Sequence, residues 1–149
     1  MKVYVGTDHR GVDFKKQVLN IIQKFGHEVV DVEGTKDSDG RVDYPEVACK
    51  VATEVVQSED RRGVLICMSG IGQAIAANKV QGAYAALCYN AEAAALSRQH
   101  NNVNILVLSS KFTEPDSLED ILTAWFSAEF EGGRHQKRVD LIKKIEGEQ

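Results

Sequence analysis

The chain has 149 residues, of which 43% are hydrophobic and 27% charged, and its formal net charge is -4. This composition is that of an ordinary globular protein with one domain, 1–149, and it excludes a disordered chain. The negative charge would repel a polyanion, so nucleic acid is not expected as a partner. No apolar run approaches the roughly 20 residues of a membrane span.

The first residues and the cysteines indicate the compartment. The chain enters an apolar, strand-like run at once, without the three regions of a signal peptide. Its three cysteines, Cys49, Cys67 and Cys88, are an odd number and contain no Cys-x-x-Cys spacing. This pattern favours neither a disulfide framework nor a zinc site. We therefore expect a reducing, cytoplasmic location, with Cys49 and Cys88 as core residues.

Short runs rich in Val, Ile and Leu alternate with longer segments of helical apolar spacing. This alternation predicts a doubly wound α/β sandwich, with a parallel sheet covered by helices on both faces. The predicted strands are 2–7, 28–31, 63–67, 83–87 and 103–108. The predicted helices are one ending near Gly26, then about 43–57, 70–79 and 91–98, one starting near Thr113, and about 136–146. Asp43 is predicted to cap the second helix, with Glu46 completing a capping box.

The third strand is followed by the segment Cys67-Met68-Ser69-Gly70-Ile71-Gly72. Ligands of such folds bind beyond the carboxyl ends of the strands. A thiol, a hydroxyl and free amide groups at a helix start would stabilise a thiolate and an enediolate. A lone cysteine at a strand end is more often a small core residue, and the glycines also suit a tight turn. The position of Cys67 directly before Ser69-Gly70 favours the catalytic interpretation.

Asp8 and His9 directly follow the first strand. If the first and third strands are neighbours, both side chains emerge at the same rim of the sheet as Cys67. Asp8 could equally cap the first helix, and His9 could be a surface residue.

Two further segments carry groups suited to a phosphorylated ligand. Arg134 and Arg138 are four residues apart at a predicted helix start, so one face could hold a phosphate through both guanidinium groups. The alternative is a solvated basic patch. His100 and Asn101 end the fourth helix, where a histidine can exchange protons near neutral pH or simply favour the helix end.

Taken together, these motifs resemble the type B ribose-5-phosphate isomerases of the ribose/galactose isomerase family, over nearly the whole chain. The resemblance rests on six segments: Asp8-His9-Arg10-Gly11, Asp43-Tyr44-Pro45, Cys67-x-Ser69-Gly70-Ile71-Gly72, Ala76-Ala77-Asn78-Lys79, Leu96-Ser97-Arg98-Gln99-His100-Asn101, and Glu131-Gly132-Gly133-Arg134-His135-Gln136-x-Arg138.

The resemblance implies an isomerase that interconverts D-ribose 5-phosphate and D-ribulose 5-phosphate in the pentose phosphate pathway, without a metal or organic cofactor. It implies a five-stranded Rossmann-like sandwich that works as a homodimer, in some relatives paired into a tetramer. Each site would be completed by the neighbouring subunit, and the C-terminal helix would contribute to the dimer. The implied catalytic residues are Cys67 as base, Ser69, Asp8 and His100. The implied substrate-binding residues are His9, Tyr44, Gly70, Ile71, Gly72, Asn101, Arg134 and Arg138.

The chain departs from the commonest family pattern at three positions. Met68 stands where glycine is frequent, Ser69 where threonine is frequent, and Lys111 where some relatives carry arginine. Ser69 retains the hydroxyl but has a less restricted rotamer.

Two other functions stay open from the sequence. One is isomerisation of a hexose phosphate such as allose 6-phosphate or galactose 6-phosphate. The other is a non-catalytic sugar-phosphate or nucleotide sensor on the same scaffold. Against a sensor, the first strand is not followed by Gly-x-Gly-x-x-Gly, and a sensor needs no positioned thiol.

Overall fold

The computed structural model describes residues 1–9 and 11–147. Its strands form one parallel sheet: β1 (Lys2–Thr7), β2 (Glu28–Val32), β3 (Arg61–Cys67), β4 (Ala85–Leu87) and β5 (Ile105–Ser109). The strand order is β2-β1-β3-β5-β4, so β1 and β3 are neighbours, as the interpretation of Asp8 requires.

Helices cover both faces of this sheet. They are α1 (Val12–Lys24), α2 (Tyr44–Val55), α3 (Ile71–Ala77), α4 (Ala91–Asn101), α5 (Leu118–Ser127) and α6 (Arg134–Gly147). The cores place α1, α4 and α5 on one face and α2 and α3 on the other, while α6 packs against α4. The predicted three-layer, Rossmann-like α/β/α sandwich is therefore confirmed.

The apolar strands have continuous hydrophobic sequences because both faces of the sheet are buried. Val64 and Ile66 of β3 belong to the core beneath α1, α4 and α5, whereas Leu65 belongs to the core beneath α2 and α3. In β5, Leu106 and Ile105 divide between the two faces in the same way. Because all the strand pairings are parallel, the carboxyl ends of the strands meet at one edge of the sheet.

Two expectations about local structure were wrong. Cys49 is exposed on α2 rather than buried in the core. Asp43 occupies the N-cap position of α2 but makes no side-chain capping bond. Glu46 instead accepts a hydrogen bond from the Thr35 hydroxyl at 2.7 Å and pairs with Lys50 at 2.6 Å, so it does not complete a capping box. These partners also lower the pKa of Glu46, the bonds from Lys50 and Thr35 being the largest causes.

The last helix buries little of its apolar surface within the chain. Val139 is buried, but Leu141, Ile142 and Ile145 are 62%, 39% and 59% exposed. None of the helices in the described ranges combines the length and apolarity that crossing a bilayer requires.

Candidate active site

Cys67 is the last residue of β3 and lies at the carboxyl edge of the sheet. Its side chain is 7% exposed, and its Sγ accepts the Gly70 N–H at 3.4 Å. Two residues further on, the Ser69 hydroxyl accepts the Ile71 N–H at 3.4 Å. The turn therefore places a thiol, a hydroxyl and the first amide groups of α3 close together, as predicted. Because α3 has only seven residues, it has no long helix dipole, and the groups that can interact with an anion here are the amides of its first turn.

Gly70 is required by the backbone geometry of this turn, and Gly72 leaves room for the ring of Tyr44. Gly70 has φ +80°, and a Cβ there would overlap Leu87. A Cβ on Gly72 would lie 2.6 and 2.7 Å from ring atoms of Tyr44, so the tyrosine ring rests directly on the turn. Tyr44, which is expected from the sequence to bind substrate, thus lies at the start of α2 and contacts the turn that follows Cys67.

The last residue of β5 and the two residues after it fix the backbone at and after Cys67. The Ser109 hydroxyl donates to the Met68 carbonyl at 2.6 Å, and the Ser110 N–H donates to the Cys67 carbonyl at 2.9 Å. The Lys111 N–H donates to the Met68 carbonyl at 3.1 Å. Sequence reasoning assigned Ser109 no role, because its contact depends on the adjacency of β3 and β5.

Asp8 and His9 lie at the same edge, beyond β1. The register pairs Thr7 with Ile66, which places Asp8 level with Cys67, and the Thr7 hydroxyl donates to the Ile66 carbonyl at 2.9 Å. Asp8 is 7% exposed. His9 is exposed, with Nδ1 3.4 Å from the Val42 carbonyl oxygen. Arg10, which also belongs to this segment, lies outside the described residues.

The remaining predicted residues lie elsewhere in the chain. His100 and Asn101 end α4, which runs from the carboxyl edge of the sheet back to its amino edge before β5 begins. The pairing of Gly63 with Ile105 and of Cys67 with Ser109 separates these two edges by about 13 Å along the strands. Within one chain, His100 is therefore remote from Cys67.

His100 belongs to a second cluster, formed with the start of α6. Its ring stacks on that of His135, with centroids 4.2 Å apart and planes at 6°. Glu131 Oε2 is 3.5 Å from His135 Nε2, and Arg134 Nε donates to that nitrogen at 3.4 Å. Arg134 and Arg138 are both exposed in the first turns of α6.

This second cluster has the composition of a metal site but a different geometry. Ligand atoms of His100, Glu131 and His135 lie within 4.8 Å of one another. The lone pairs of an imidazole lie in its plane, and two parallel stacked rings cannot direct them at one ion. Burial is the main cause that lowers the pKa of His135, followed by the charges of His100 and Arg134, while Glu131 opposes them.

Comparison with known proteins identifies the family to which the chain belongs. Residues 3–142 match the family described as Ribose/Galactose Isomerase. Over 145 residues the chain is 42% identical to Ribose-5-phosphate isomerase B of Escherichia coli strain K12, covering 97% of this chain and 96% of that protein. It is also 32% identical to the D-erythrulose-4-phosphate isomerase of Pectobacterium atrosepticum, covering 95% and 93% of the two chains.

A solved structure supports the same relationship. The crystal structure of ribose-5-phosphate isomerase B from Mycoplasma genitalium with bound ribulose-5-phosphate matches this fold with a TM-score of 0.91. The two sequences are 39% identical, and the match covers 99% of this chain and 97% of that one. The chain therefore belongs to the ribose/galactose isomerase family, and it is an isomerase with a Rossmann-like fold.

Proposed function

We propose that the chain interconverts ribose 5-phosphate and ribulose 5-phosphate through an enediolate, with Cys67 as the base. The observation that carries this proposal is the turn after β3, where the thiol lies beside the Ser69 hydroxyl and the amides that open α3. The names of the E. coli and M. genitalium relatives support the pentose substrate.

The reaction requires one base that moves a proton between C1 and C2, and polar groups that stabilise the negative charge on the enediolate oxygen. In the open-chain aldose, Cys67 takes the proton from C2, and the electrons of the C–H bond form the enediolate with the charge on O1. The Ser69 hydroxyl and the first-turn amide of Gly72 stabilise that oxygen. A proton then passes from O2 to O1, with the Ser69 hydroxyl as the group that can relay it, and the thiol of Cys67 returns the C2 proton to C1. These two transfers give the ketose and regenerate the thiolate in each turnover.

Substrate binding in this proposal needs two subunits. Asp8, at the edge with Cys67, binds sugar hydroxyls, and His100 of a second copy transfers a proton at the ring oxygen when the furanose opens. The phosphate is held by His9 from the first copy and by Arg134 and Arg138 from the second. The remaining wall of the sugar site consists of Tyr44, Ile71 and Asn101.

The exposed apolar residues support a homodimer in which opposite edges of the sheet meet. At the carboxyl edge, Ile71 and Phe112 are 53% and 52% exposed, and on α6 Leu141 and Ile145 are 62% and 59% exposed. Burial of such side chains contributes about 1.5 to 3 kcal/mol each. The same surfaces would serve if two dimers paired into a tetramer.

The proposed base is tested by Cys67→Ala, with Cys49→Ala as a matched control because Cys49 is exposed and lies on α2. We expect Cys67→Ala to lower kcat for ribose 5-phosphate by about 10²- to 10⁴-fold. Binding of ribulose 5-phosphate, measured by calorimetry, should remain within a few-fold of wild type. Unchanged turnover would eliminate Cys67 as the base. A wild-type protein that binds but never turns over either sugar would favour the sensor.

The length of the sugar is tested by turnover on tetrose, pentose and hexose phosphates. Met68 is 40% exposed beside Cys67 and would form one wall of the pocket, so we expect the pentose to be preferred. Clear preference for allose or galactose 6-phosphate would assign the chain to the hexose branch that the family description includes.

The ring-opening role of His100 is tested with a substrate that has no ring. A tetrose 4-phosphate carries its phosphate on the only oxygen that could close a furanose. We therefore expect His100→Ala to lower turnover of ribose 5-phosphate much more than turnover of the tetrose. Equal losses on both substrates would contradict ring opening by His100.

A further inference from the structure

His135 has no part in the proposed reaction, yet it is the residue that covers His100. The two rings are nearly parallel, at 6°, with centroids 4.2 Å apart. His135 is 4% exposed, whereas His100 is partly accessible. One face of the partly accessible His100 is therefore occupied by a buried ring.

His135 is itself fixed to the helix that carries His100. The backbone N–H of His135 donates to the Gly132 carbonyl at 3.0 Å. In this turn Gly132 and Gly133 have φ of +65° and +56°. The N–H of Glu131 donates to the Gln99 carbonyl at 3.0 Å, which ties the start of this turn to the last turn of α4. The Glu131 carboxylate lies 3.5 Å from His135 Nε2. These contacts fix the position of His135 relative to the last turn of α4.

We propose that His135 is a positioning residue, whose flat face restricts the ring rotation of His100 and aims its nitrogens at the ring oxygen of the sugar. This inference rests on the proposed function, in which His100 opens the furanose. A histidine on the last turn of a helix would otherwise choose among several rotamers, and each wrong rotamer removes the nitrogen from hydrogen-bond reach. Stacking selects one plane for the ring without using either of its nitrogens.

The electrostatics of the pair agree with this role. Burial, and then the charges of His100 and Arg134, lower the pKa of His135, which favours the neutral form of its ring beside His100. A protonated ring stacks more favourably on a neutral ring than on a second protonated ring, because two stacked cations repel each other. A proton can therefore reach His100 without disrupting the stack.

Two simpler roles would place His135 in the same position. It could only fill space under α6, or it could bind the phosphate together with Arg134. A double-mutant cycle separates these from positioning, because a residue that acts through His100 has nothing left to act on once His100 is removed. The variants are His135→Gln, which keeps polarity but not the flat ring, and His135→Phe, which keeps the ring. Lys137→Ala, an exposed change in the same turn of α6, is the matched control.

We expect His135→Gln to lower kcat for ribose 5-phosphate about tenfold, because small displacements of a proton-transfer group are costly. KM and the inhibition constant of inorganic phosphate should change by less than about twofold. His135→Phe should restore most of kcat, since the stack persists. In the His100→Ala background, His135→Gln should cause roughly no further loss.

Three results would overturn the inference. A double variant whose loss is the product of the two single losses would show that His135 acts independently of His100. A rise in the phosphate inhibition constant parallel to the loss of kcat would make His135 a phosphate ligand or a structural support for Arg134. A His135→Phe variant as slow as His135→Gln would exclude stacking. If His100→Ala alone keeps full kcat, the ring-opening part of the proposed function fails instead.

Discussion

Mixing two inactive variants tests whether the site is shared between subunits. Cys67 and His100 lie at opposite edges of the sheet, about 13 Å apart along the strands, whereas proton transfer requires contact at about 3 Å. We therefore expect Cys67→Ala and His100→Ala to inactivate different halves of each site. A mixed dimer then contains one doubly defective site and one intact site.

The size of the recovery follows from the pairing statistics. Equal amounts of the two variants, dissociated and reassociated at random, give mixed dimers in half of the pairs. Each has one of its two sites intact, so the mixture should regain about one quarter of wild-type activity. Differently tagged subunits allow the mixed dimers to be isolated, and these should reach about one half.

A second mixture provides the control. Asp8 and Cys67 come from the same edge of one chain, so mixed dimers of Asp8→Ala with Cys67→Ala carry one defect in each site and should stay inactive. Isolated Cys67→Ala/His100→Ala dimers that are folded but inactive would refute the shared site. Recovery in both mixtures would indicate that activity comes from contaminating wild-type protein rather than from complementation.

Three other changes have defined outcomes. Gly72→Ala would put a Cβ 2.6 Å from the exposed Tyr44 ring and displace it, so we expect kcat/KM to fall severalfold in steady-state assays. In urea unfolding the stability should change by less than about 1 kcal/mol, because the higher helix propensity of alanine offsets the displacement of the ring. Burial, and then the charge of the N-terminus, lower the pKa of His27 from 6.5, so the unfolded chain binds more protons and stability should decrease as the pH falls through about 6.5. Urea unfolding at several pH values measures this slope, and His27→Gln should flatten it. Cys49 is exposed, whereas Cys88 is buried and burial raises the pKa of its thiol, so iodoacetamide should label Cys49 before Cys88 in peptide mass spectra.

The sheet was predictable because its strands consist of continuous runs of apolar residues. β3 and β5 are runs of Val, Ile and Leu that become buried on both faces, and no competing local preference disturbs them. The last helix was predicted over about 136–146, and it begins slightly earlier, at Arg134, directly after the Gly-Gly turn. The ends of β4 were less certain, because this edge strand pairs for only three residues.

Polar partners across the fold were not predictable in the same way. Glu46 has the spacing of a capping box, but it bonds to Thr35, which the loop after β2 brings near. Ser109 fixes the turn after Cys67 only because β5 lies next to β3. Local spacing contains no information about such neighbours, since they depend on strand order.

In the proposed dimer, the division of the site between two edges would allow a chain with net charge -4 to bind a phosphorylated sugar. The thiol edge carries Asp8, whose carboxylate would repel a phosphate, while Arg134 and Arg138 lie with α6 at the other edge. At each edge, a single chain therefore has either the base Cys67 or the two guanidinium groups of Arg134 and Arg138, but not both. Joining two edges separates the negative carboxylate and the positive guanidinium groups by the length of the sugar, so that the substrate is held at one end and deprotonated at the other. Such a site selects for a phosphate at a fixed distance from C2, which is the property that distinguishes a pentose from a hexose.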